Sequence, residues 1–266
     1  MTKLSFAEMH DILMDALRLT HFPVAVKFFF DDGQLKEFKE NVEFFTSDRN
    51  LTFCQYEIGP RMTGQTLLVR KEKLGCPNGL YSFGWKGFDQ AEVLSHKKYA
   101  KDLEQAERFV KSKPRLPEGT LKAIAVSPLA DTYFPPDTVH FYCDNMQAYH
   151  LAVDYMAAMD VHPLRTNITM NSSACAGNVY TYLEQTANVC TACSGSYNSG
   201  KTERGELNFF VPGAHLEPLV QRLVTRINEH GTGAITRTGE NFPGAAICKN
   251  CNMIVYKRGE CLESAQ

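Results

Sequence analysis

The sequence predicts an α/β or α+β protein, in which helices cover a mixed sheet and the chain contains two weakly related halves. Three observations lead to this fold class. Segments with helical periodicity alternate with strand-like runs between residues 5 and 230. The chain has 266 residues, of which 44% are hydrophobic, and this is enough for a proper core. No run of apolar residues approaches the roughly 18 that a membrane span requires.

The first half of the chain predicts helices and strands in alternation. A capping box at residues 5–8 precedes an apolar face with helical spacing, and Pro23 ends that segment. The β-branched and aromatic run 24–30 predicts a strand. A second capping box, at residues 52–55, predicts a short helix with Cys54 in its first turn. We expect a further strand at 66–69 and a charged helix at 90–113.

The second half predicts four strands and three helices. The strands are expected at 121–126, 138–143, 165–170 and 206–211. A helix at 146–159 follows Asn145 as its cap, and a second helix begins after Ser172 or Ser173. The last helix is expected at 216–230, where Gly231 closes it.

Residues 1–230 are expected to form a single domain, with halves at 1–117 and 118–230. In each half a strand precedes a helix with a cysteine near its start, Cys54 or Cys175, and further cysteines follow. Residues 231–266 are expected to be a C-terminal extension, which contains Cys248, Cys251 and Cys261.

The charge pattern limits the classes of partner. Lys and Arg number 28 against 30 Asp and Glu, which gives a net charge of -2, and the charges form no block of one sign. This balance argues against nucleic acid as a partner. Glu8, Asp11 and Asp15 lie where a signal peptide would be apolar. We therefore expect a cytoplasmic protein with no membrane partner, and the sequence is compatible with a homo-oligomer.

Nine cysteines are the most informative feature, because cytoplasmic proteins rarely use cysteine for disulfides. Metal ligation, redox chemistry and nucleophilic catalysis are the alternatives to simple packing. Cys143 lies inside an apolar strand, and we interpret it as a packing residue.

Zinc is one interpretation of the cysteines. Cys190 and Cys193 form one Cys-x-x-Cys pair, and Cys248 and Cys251 form another. Two such pairs complete a tetrahedral four-cysteine zinc site. The pairs are separated by much more than the roughly 20 residues that are usual in zinc modules, so the pattern loses specificity.

An iron-sulfur cluster is the other use of clustered thiolates. The contiguous ferredoxin motif is absent, so the ligands have to come from separate loops. The natural set is Cys54, Cys76, Cys175 and the pair Cys190 and Cys193. Cys54 and Cys175 lie at helix starts, where the helix dipole favours the thiolate that binds metal.

Residues 195–202 match the P-loop pattern G-x-x-x-x-G-K-[ST], which suggests a nucleotide hydrolase that uses Lys201 and Thr202. A P-loop requires a strand before it and a helix after it. A polar turn precedes this motif, and the strand-like run that follows leaves little room for a helix. We therefore favour a flexible Gly/Ser loop.

Several phrases along the chain resemble one known family. They are residues 22–28, 53–55, 76–79, 114–117, 122–129, 135–137, 175–176 and 206–212. Together they are similar to the uncharacterised prokaryotic family known as domain of unknown function 169, over about residues 5–230. The resemblance implies cysteines at Cys54, Cys76, Cys175 and one of Cys190 or Cys193, which supports a shared site. The Gly200–Lys201–Thr202 run and the tail after residue 231 depart from the pattern of that family.

The leading hypothesis is a cytoplasmic iron-sulfur protein with a 4Fe-4S or other cluster. Its cofactor would be held by Cys54, Cys76, Cys175 and Cys190 or Cys193, with Cys248 and Cys251 as additional metal ligands. Its role would be electron transfer to a redox protein, or cluster-based catalysis on a small molecule. The alternative is a zinc-stabilised binding or regulatory protein without turnover.

Overall fold

A six-stranded sheet organises the computed structural model, which describes residues 3–169 and 171–230. Its strands are β1 (Val24–Phe29), β2 (Leu67–Val69), β3 (Ala123–Pro128), β4 (Thr138–Cys143), β5 (Asn188–Thr191) and β6 (Leu207–Pro212). The strand order is β2-β3-β1-β4-β6-β5, and every ladder between these strands is antiparallel. The predicted class of a sheet covered by helices is confirmed, and the antiparallel ladders make it α+β.

The helices alternate with the strands along the chain. They are α1 (Phe6–Leu17), α2 (Asp32–Asn41), α3 (Phe53–Tyr56), α4 (Pro77–Ser82), α5 (Gln90–His96), α6 (Leu103–Lys111), α7 (Asn145–Met159), α8 (Ala174–Glu184), α9 (Ser194–Tyr197) and α10 (Leu216–His230). Short single-turn helices connect several of them. Both predicted capping boxes, at Ser5 and Thr52, begin helices as expected. Among the described residues, no helix has the combined length and apolar character that crossing a membrane requires.

The two faces of the sheet carry different cores. On one face, Val139 and Phe141 of β4 pack with buried residues of α1, α7 and α10. On the other face, strands β1 and β3 pack against α3 and α8, in a cluster that includes Cys54 and Cys175. Because side chains alternate along a strand, β4 directs His140 and Tyr142 towards this second face. Polar side chains of the sheet and the cysteines of the helices therefore meet on one side.

Strands from the two predicted halves are interleaved in this sheet. β3 lies between β2 and β1, and β1 also pairs with β4. Residues on both sides of position 117 thus contribute to a continuous sheet.

Two predicted elements are wrong. The helix expected at 90–113 is two helices, α5 and α6, because Ala100 is extended and Asp102 caps a new helix. This break folds α5 back on α6, so Lys113 reaches Glu92 with an Nζ to Oε1 distance of 2.9 Å. The strand expected at 165–170 is irregular over residues 165–169, and residue 170 lies outside the described part.

Some elements were not expected from the sequence. The helices α2 and α4 lie in stretches for which the sequence predicts no element, and β5 is a short strand before Cys193. Asp144, and not Asn145, is the N-cap of α7, where it forms a capping box with Gln147. These elements are short or polar, and their periodicity is correspondingly weak.

Candidate functional site

Four of the cysteines predicted as ligands stand at the starts of four helices. Cys54 is the second residue of α3, and Cys175 is the second residue of α8. Cys76 is the N-cap of α4, and Cys193 is the N-cap of α9. The sequence predicts only Cys54 and Cys175 at helix starts, and the structure places Cys76 and Cys193 at helix starts as well. Amide N–H groups at these positions favour negative charge on a nearby sulfur.

The charges that act on the Cys175 thiol indicate which cysteines lie near it. Burial raises the pKa of the Cys175 thiol, and negative charge on Cys76 raises it further. The hydrogen bond with Ser172 opposes this rise, whereas Cys193 and Cys54 add to it. Charges act on each other in this way only over short distances, which places Cys76, Cys193 and Cys54 in the surroundings of Cys175. We call Cys54, Cys76, Cys175 and Cys193 the cysteine cluster.

Cys54 has a similar environment at the other side of the cluster. Burial raises the pKa of its thiol. The hydrogen bond with Thr52 and the charge of Lys201 lower it, while Cys193 and Glu57 raise it. Without a metal, Cys54 and Cys175 are therefore protonated thiols at neutral pH. A cation that binds here displaces their protons.

The other cysteines do not share this position. Cys190 lies in β5 and is buried, and burial with a smaller effect of Cys193 raises the pKa of its thiol to about 12. Of the pair Cys190 and Cys193, only the charge of Cys193 raises the pKa of the Cys54 and Cys175 thiols. Cys143 packs in the apolar core on the opposite face of the sheet, as its strand context indicates. Cys248 and Cys251, predicted as additional ligands, lie outside the described residues.

Serine and threonine hydroxyls line the cysteine cluster. The Ser172 Oγ lies 3.0 Å from the Cys175 Sγ, and the Thr52 Oγ1 lies 3.2 Å from the Cys54 Sγ. The Cys193 amide donates to the Ser173 Oγ at 3.1 Å. Hydrogen bonds to ligand sulfurs are one of the ways in which a protein tunes a thiolate-bound metal centre.

A close contact with the sheet positions α8. A Cβ atom added to Gly177 would lie only 2.2 Å from the Phe210 ring of β6, so glycine is needed for this approach. Cys175 lies two residues before Gly177 in the same helix. The position of its sulfur therefore depends on this helix-to-sheet contact.

A buried lysine positions α4. The Lys113 Nζ donates to the Asn78 side chain, close to Cys76, and to the Glu92 Oε1. It also lies 3.0 Å from the His96 Nε2, and Lys113 and His96 are both buried. Burial lowers the pKa of His96, so its neutral ring accepts a hydrogen bond from the lysine. Through Lys113, the helix α5 is therefore connected to α4, which carries Cys76 of the cysteine cluster.

A cavity of about 330 Å³ opens beside Cys193. Tyr99 lies 2.9 Å from the Ser194 Oγ, which donates to the Asn171 Oδ1 at 2.7 Å. Thr169, Thr191, Ala192 and Ile168 complete the lining. The cavity therefore gives solvent, a small molecule or a partner protein access to one edge of the cysteine cluster.

A buried polar network adjoins the cluster on the side of Cys54. Glu57 has no exposed surface, and its Oε2 accepts a hydrogen bond of 2.6 Å from the Tyr142 hydroxyl. Its Oε1 lies 2.9 Å from the His140 Nδ1, and the His140 Nε2 lies 2.9 Å from the Asn208 Oδ1. The Arg61 guanidinium stacks 3.7 Å from the centre of the Tyr142 ring. Burial raises the pKa of Tyr142 well above its usual range, and the charge of Glu57 adds to this.

The sequence does not predict this network. One signal was present, since His140 and Tyr142 are polar positions that alternate with the apolar Val139, Phe141 and Cys143 of the same strand. A second was Glu57, three residues after Cys54 and on the same short helical turn. Neither signal identifies the pairing, because 83 residues separate Glu57 from His140.

The P-loop-like segment has a different structure from a nucleotide site. Its first residues form α9, and β6 follows Thr202 without an intervening helix. The Lys201 Nζ points back to the Gly195 carbonyl at 3.4 Å, and the Thr202 hydroxyl bonds to Ser196 in a buried position. The lysine and threonine thus lack the placement at a helix start that phosphate and magnesium require.

Comparison with known proteins identifies a family but no chemistry. A family model matches residues 12–222, and this family is DUF169, described as uncharacterised ArCR. The match confirms the resemblance inferred from the sequence. No curated protein and no solved structure matches the chain.

Proposed function

We propose that this chain, which belongs to the DUF169 family, binds an iron-sulfur cluster through Cys54, Cys76, Cys175 and Cys193 and has a redox role. The observation that carries the proposal is the placement of these four cysteines at four helix starts, with the charges of Cys76, Cys193 and Cys54 acting on the Cys175 thiol at the start of α8. Thiolates are the ligands that such clusters use, and four complete the usual set.

The spacing of the sulfurs favours a cluster over a single zinc ion. With Zn–S bonds of about 2.3 Å, a tetrahedral zinc site holds its sulfurs within roughly 3.8 Å of one another. In residues 3–169 and 171–230, no three cysteine sulfurs all lie within 4.8 Å of one another. A cluster of several irons has a larger radius and takes its thiolates from further apart. Zinc binding would require at least three of these sulfurs to move closer together.

The surroundings of the cysteines suit a redox centre. A cluster supplies one-electron chemistry, and its potential depends on burial and on hydrogen bonds to the sulfurs. Cys54 and Cys175 lie in the core, where Thr52 and Ser172 hydrogen-bond their sulfurs. Cys76 and Cys193 are half-buried, so the edge of the cysteine cluster that they form is close to solvent.

The small molecule or redox protein that reacts with the cluster would bind at the edge formed by Cys76 and Cys193. The cavity beside Cys193 has room for a small molecule, and Tyr99, Ser194 and Asn171 offer it hydroxyl and amide groups. A redox protein that docks at the same edge would approach the cluster closely. We also infer a cytoplasmic location, because the six described cysteines are free thiols, which a reducing compartment preserves.

The test is anaerobic reconstitution of cysteine variants with iron and sulfide. Cys54→Ser, Cys76→Ser, Cys175→Ser and Cys193→Ser are each expected to lose at least half of the bound iron and the visible absorption near 400 nm. Cys143→Ser and Cys190→Ser are the matched controls, because both replace a buried cysteine outside the cluster. Circular dichroism establishes that each variant is folded.

Two results would overturn the proposal. One is full iron and sulfide content in all four single variants. The other is a colourless protein whose zinc content falls in the same variants, which would favour the zinc-stabilised binding protein.

A further inference from the structure

A second cluster of metal-ligating side chains lies away from the cysteines. His21 precedes β1, and Glu203 and Glu206 belong to the turn before β6. One ligand atom from each of the three lies within 4.8 Å of the other two. Gly205, whose φ is 89°, makes the turn that brings the two glutamates to the same side.

The distances match those between ligands of one ion. The His21 Nε2 lies 3.2 Å from the Glu206 Oε1 and 3.7 Å from the Glu203 Oε1. Metal bonds of about 2.0–2.2 Å to nitrogen and oxygen separate neighbouring ligand atoms by roughly 3.0–3.6 Å. The three side chains thus need only a small adjustment at the exposed Glu203 to share an ion.

The unpartnered nitrogen of His21 points independently to a ligand. The side chain of His21 is 9% exposed, and its Nε2 makes no hydrogen bond despite the two carboxylates beside it. Two ligands of an ion direct their lone pairs at the ion and not at each other. A short contact without hydrogen-bond alignment is therefore expected there. Leaving a buried imidazole nitrogen without a partner otherwise costs about 1–3 kcal/mol.

The charges around the three residues favour a cation. Two glutamate carboxylates and the Arg61 guanidinium are the charged groups beside His21. Arg61 donates to the Glu206 Oε1 at 2.9 Å, but each carboxylate oxygen has a second lone pair. Asp144 and Arg204, which line the adjoining cavity, offset each other, so two carboxylates against one guanidinium leave a net negative charge.

We propose that His21, Glu203 and Glu206 bind a divalent first-row metal ion, such as Mn²⁺ or Zn²⁺. One imidazole with two carboxylates is a ligand set that both ions accept. Three protein ligands leave at least one coordination position for water or another molecule. Both glutamates, though not His21, also line a cavity of about 320 Å³, together with Thr20, Asp144 and Arg204, so the glutamate side of the site is accessible.

Mn²⁺ is the probe that tests this site, because it prefers oxygen and nitrogen ligands and competes poorly for thiolates. The purified full-length protein is titrated with Mn²⁺, and the free ion is followed by its electron paramagnetic resonance signal. We expect saturable binding at one site. The variants Glu203→Gln and His21→Gln are expected to weaken it tenfold or more.

His10→Gln is the matched control, because the His10 Nδ1 lies 3.0 Å from the Asp11 Oδ1 but has no second carboxylate. It should bind Mn²⁺ as the wild type does. Glu203 is exposed, so Glu203→Gln remains folded and keeps the test valid even where His21→Gln does not. The proposal is overturned by the absence of saturable binding in the wild type, or by unchanged affinity in Glu203→Gln. Either result leaves the cysteine cluster unaffected.

Discussion

Glu57 is the residue that most closely links the cysteine cluster to the sheet. It follows Cys54 by three residues, its charge acts on that thiol, and its two oxygens contact Tyr142 and His140. A buried carboxyl is costly unless donors satisfy it, and these donors come from β4. The sequence predicts the ligand residues but not this support, because the partners are distant in the chain.

Alkaline pH provides a prediction for a single residue, Cys190. Burial raises the pKa of its thiol from 9.0 to about 12, so the unfolded chain loses this proton at lower pH than the folded protein. Stability from the neutral thiol is complete below pH 9.0 and is lost as the pH rises towards 12. Compared with Cys190→Ala, the wild type should lose about 1.4 kcal/mol more per pH unit across this window.

Urea unfolding of metal-free, reduced protein at pH 8, 9, 10 and 11 measures this difference. Thr191→Ala, which changes an exposed residue in the same strand, is the control and should follow the wild type. Parallel pH profiles for Cys190→Ala and the wild type would contradict the account.

At the level of elements, the start of α8 determines where the cysteine cluster forms. Cys175 is in its first turn, and Gly177 lets this turn approach Phe210 of β6. The other three cysteines come from α3, α4 and α9, of which α3 and α4 pack against α8. Displacement of α8 therefore moves Cys175, on which the charges of the other three act.

Gly177→Ala is expected to displace α8. Its methyl group overlaps the Phe210 ring, which should cost about 1–3 kcal/mol of folding free energy. The reconstituted variant should also bind less iron, because Cys175 moves with the helix. Denaturant unfolding and iron analysis measure the two effects.

Gly195→Ala is the control for that variant. An added Cβ there meets only the Cys193 Sγ at 3.9 Å, an ordinary contact, although it is adjacent to the cluster. It should keep its iron and its stability. If Gly177→Ala behaves in the same way, α8 does not position the cluster.

The elements that the sequence predicted well have strong local signals. Capping boxes at Ser5 and Thr52 and the apolar strands β1, β3, β4 and β6 are examples. The periodicity of residues 90–113 does not predict the break between α5 and α6, and the folded-back arrangement is held by Lys113, whose buried amine contacts Glu92, His96 and Asn78. Periodicity cannot report such a tertiary contact.

At the scale of the whole molecule, the two faces of the sheet differ. One face packs an apolar core, and the other carries the polar network beside the cysteine cluster. One face of β4 contributes Val139, Phe141 and Cys143 to an apolar core, and the other contributes His140 and Tyr142 to the polar network. The sequence predicts a sheet and a group of thiols, but the strand order decides which residues share a face. That order depends on long-range pairing, which is weakly encoded in local sequence.

The same arrangement connects the two proposed sites. Arg61 donates to Glu206 and to the Lys201 carbonyl, and the charge of Lys201 acts on Cys54. Arg61 thus links the turn that carries the two glutamates to the segment around Lys201, near the cysteine cluster. An ion at the first site would hold this turn in place beside the second.

Iron and acid-labile sulfide analysis, with a visible spectrum, of protein purified without oxygen tests the central claim most directly. The account predicts iron and sulfide in similar amounts and a broad absorption near 400 nm that bleaches with dithionite. Protein that contains neither after anaerobic purification and reconstitution, or that contains zinc alone, would contradict it.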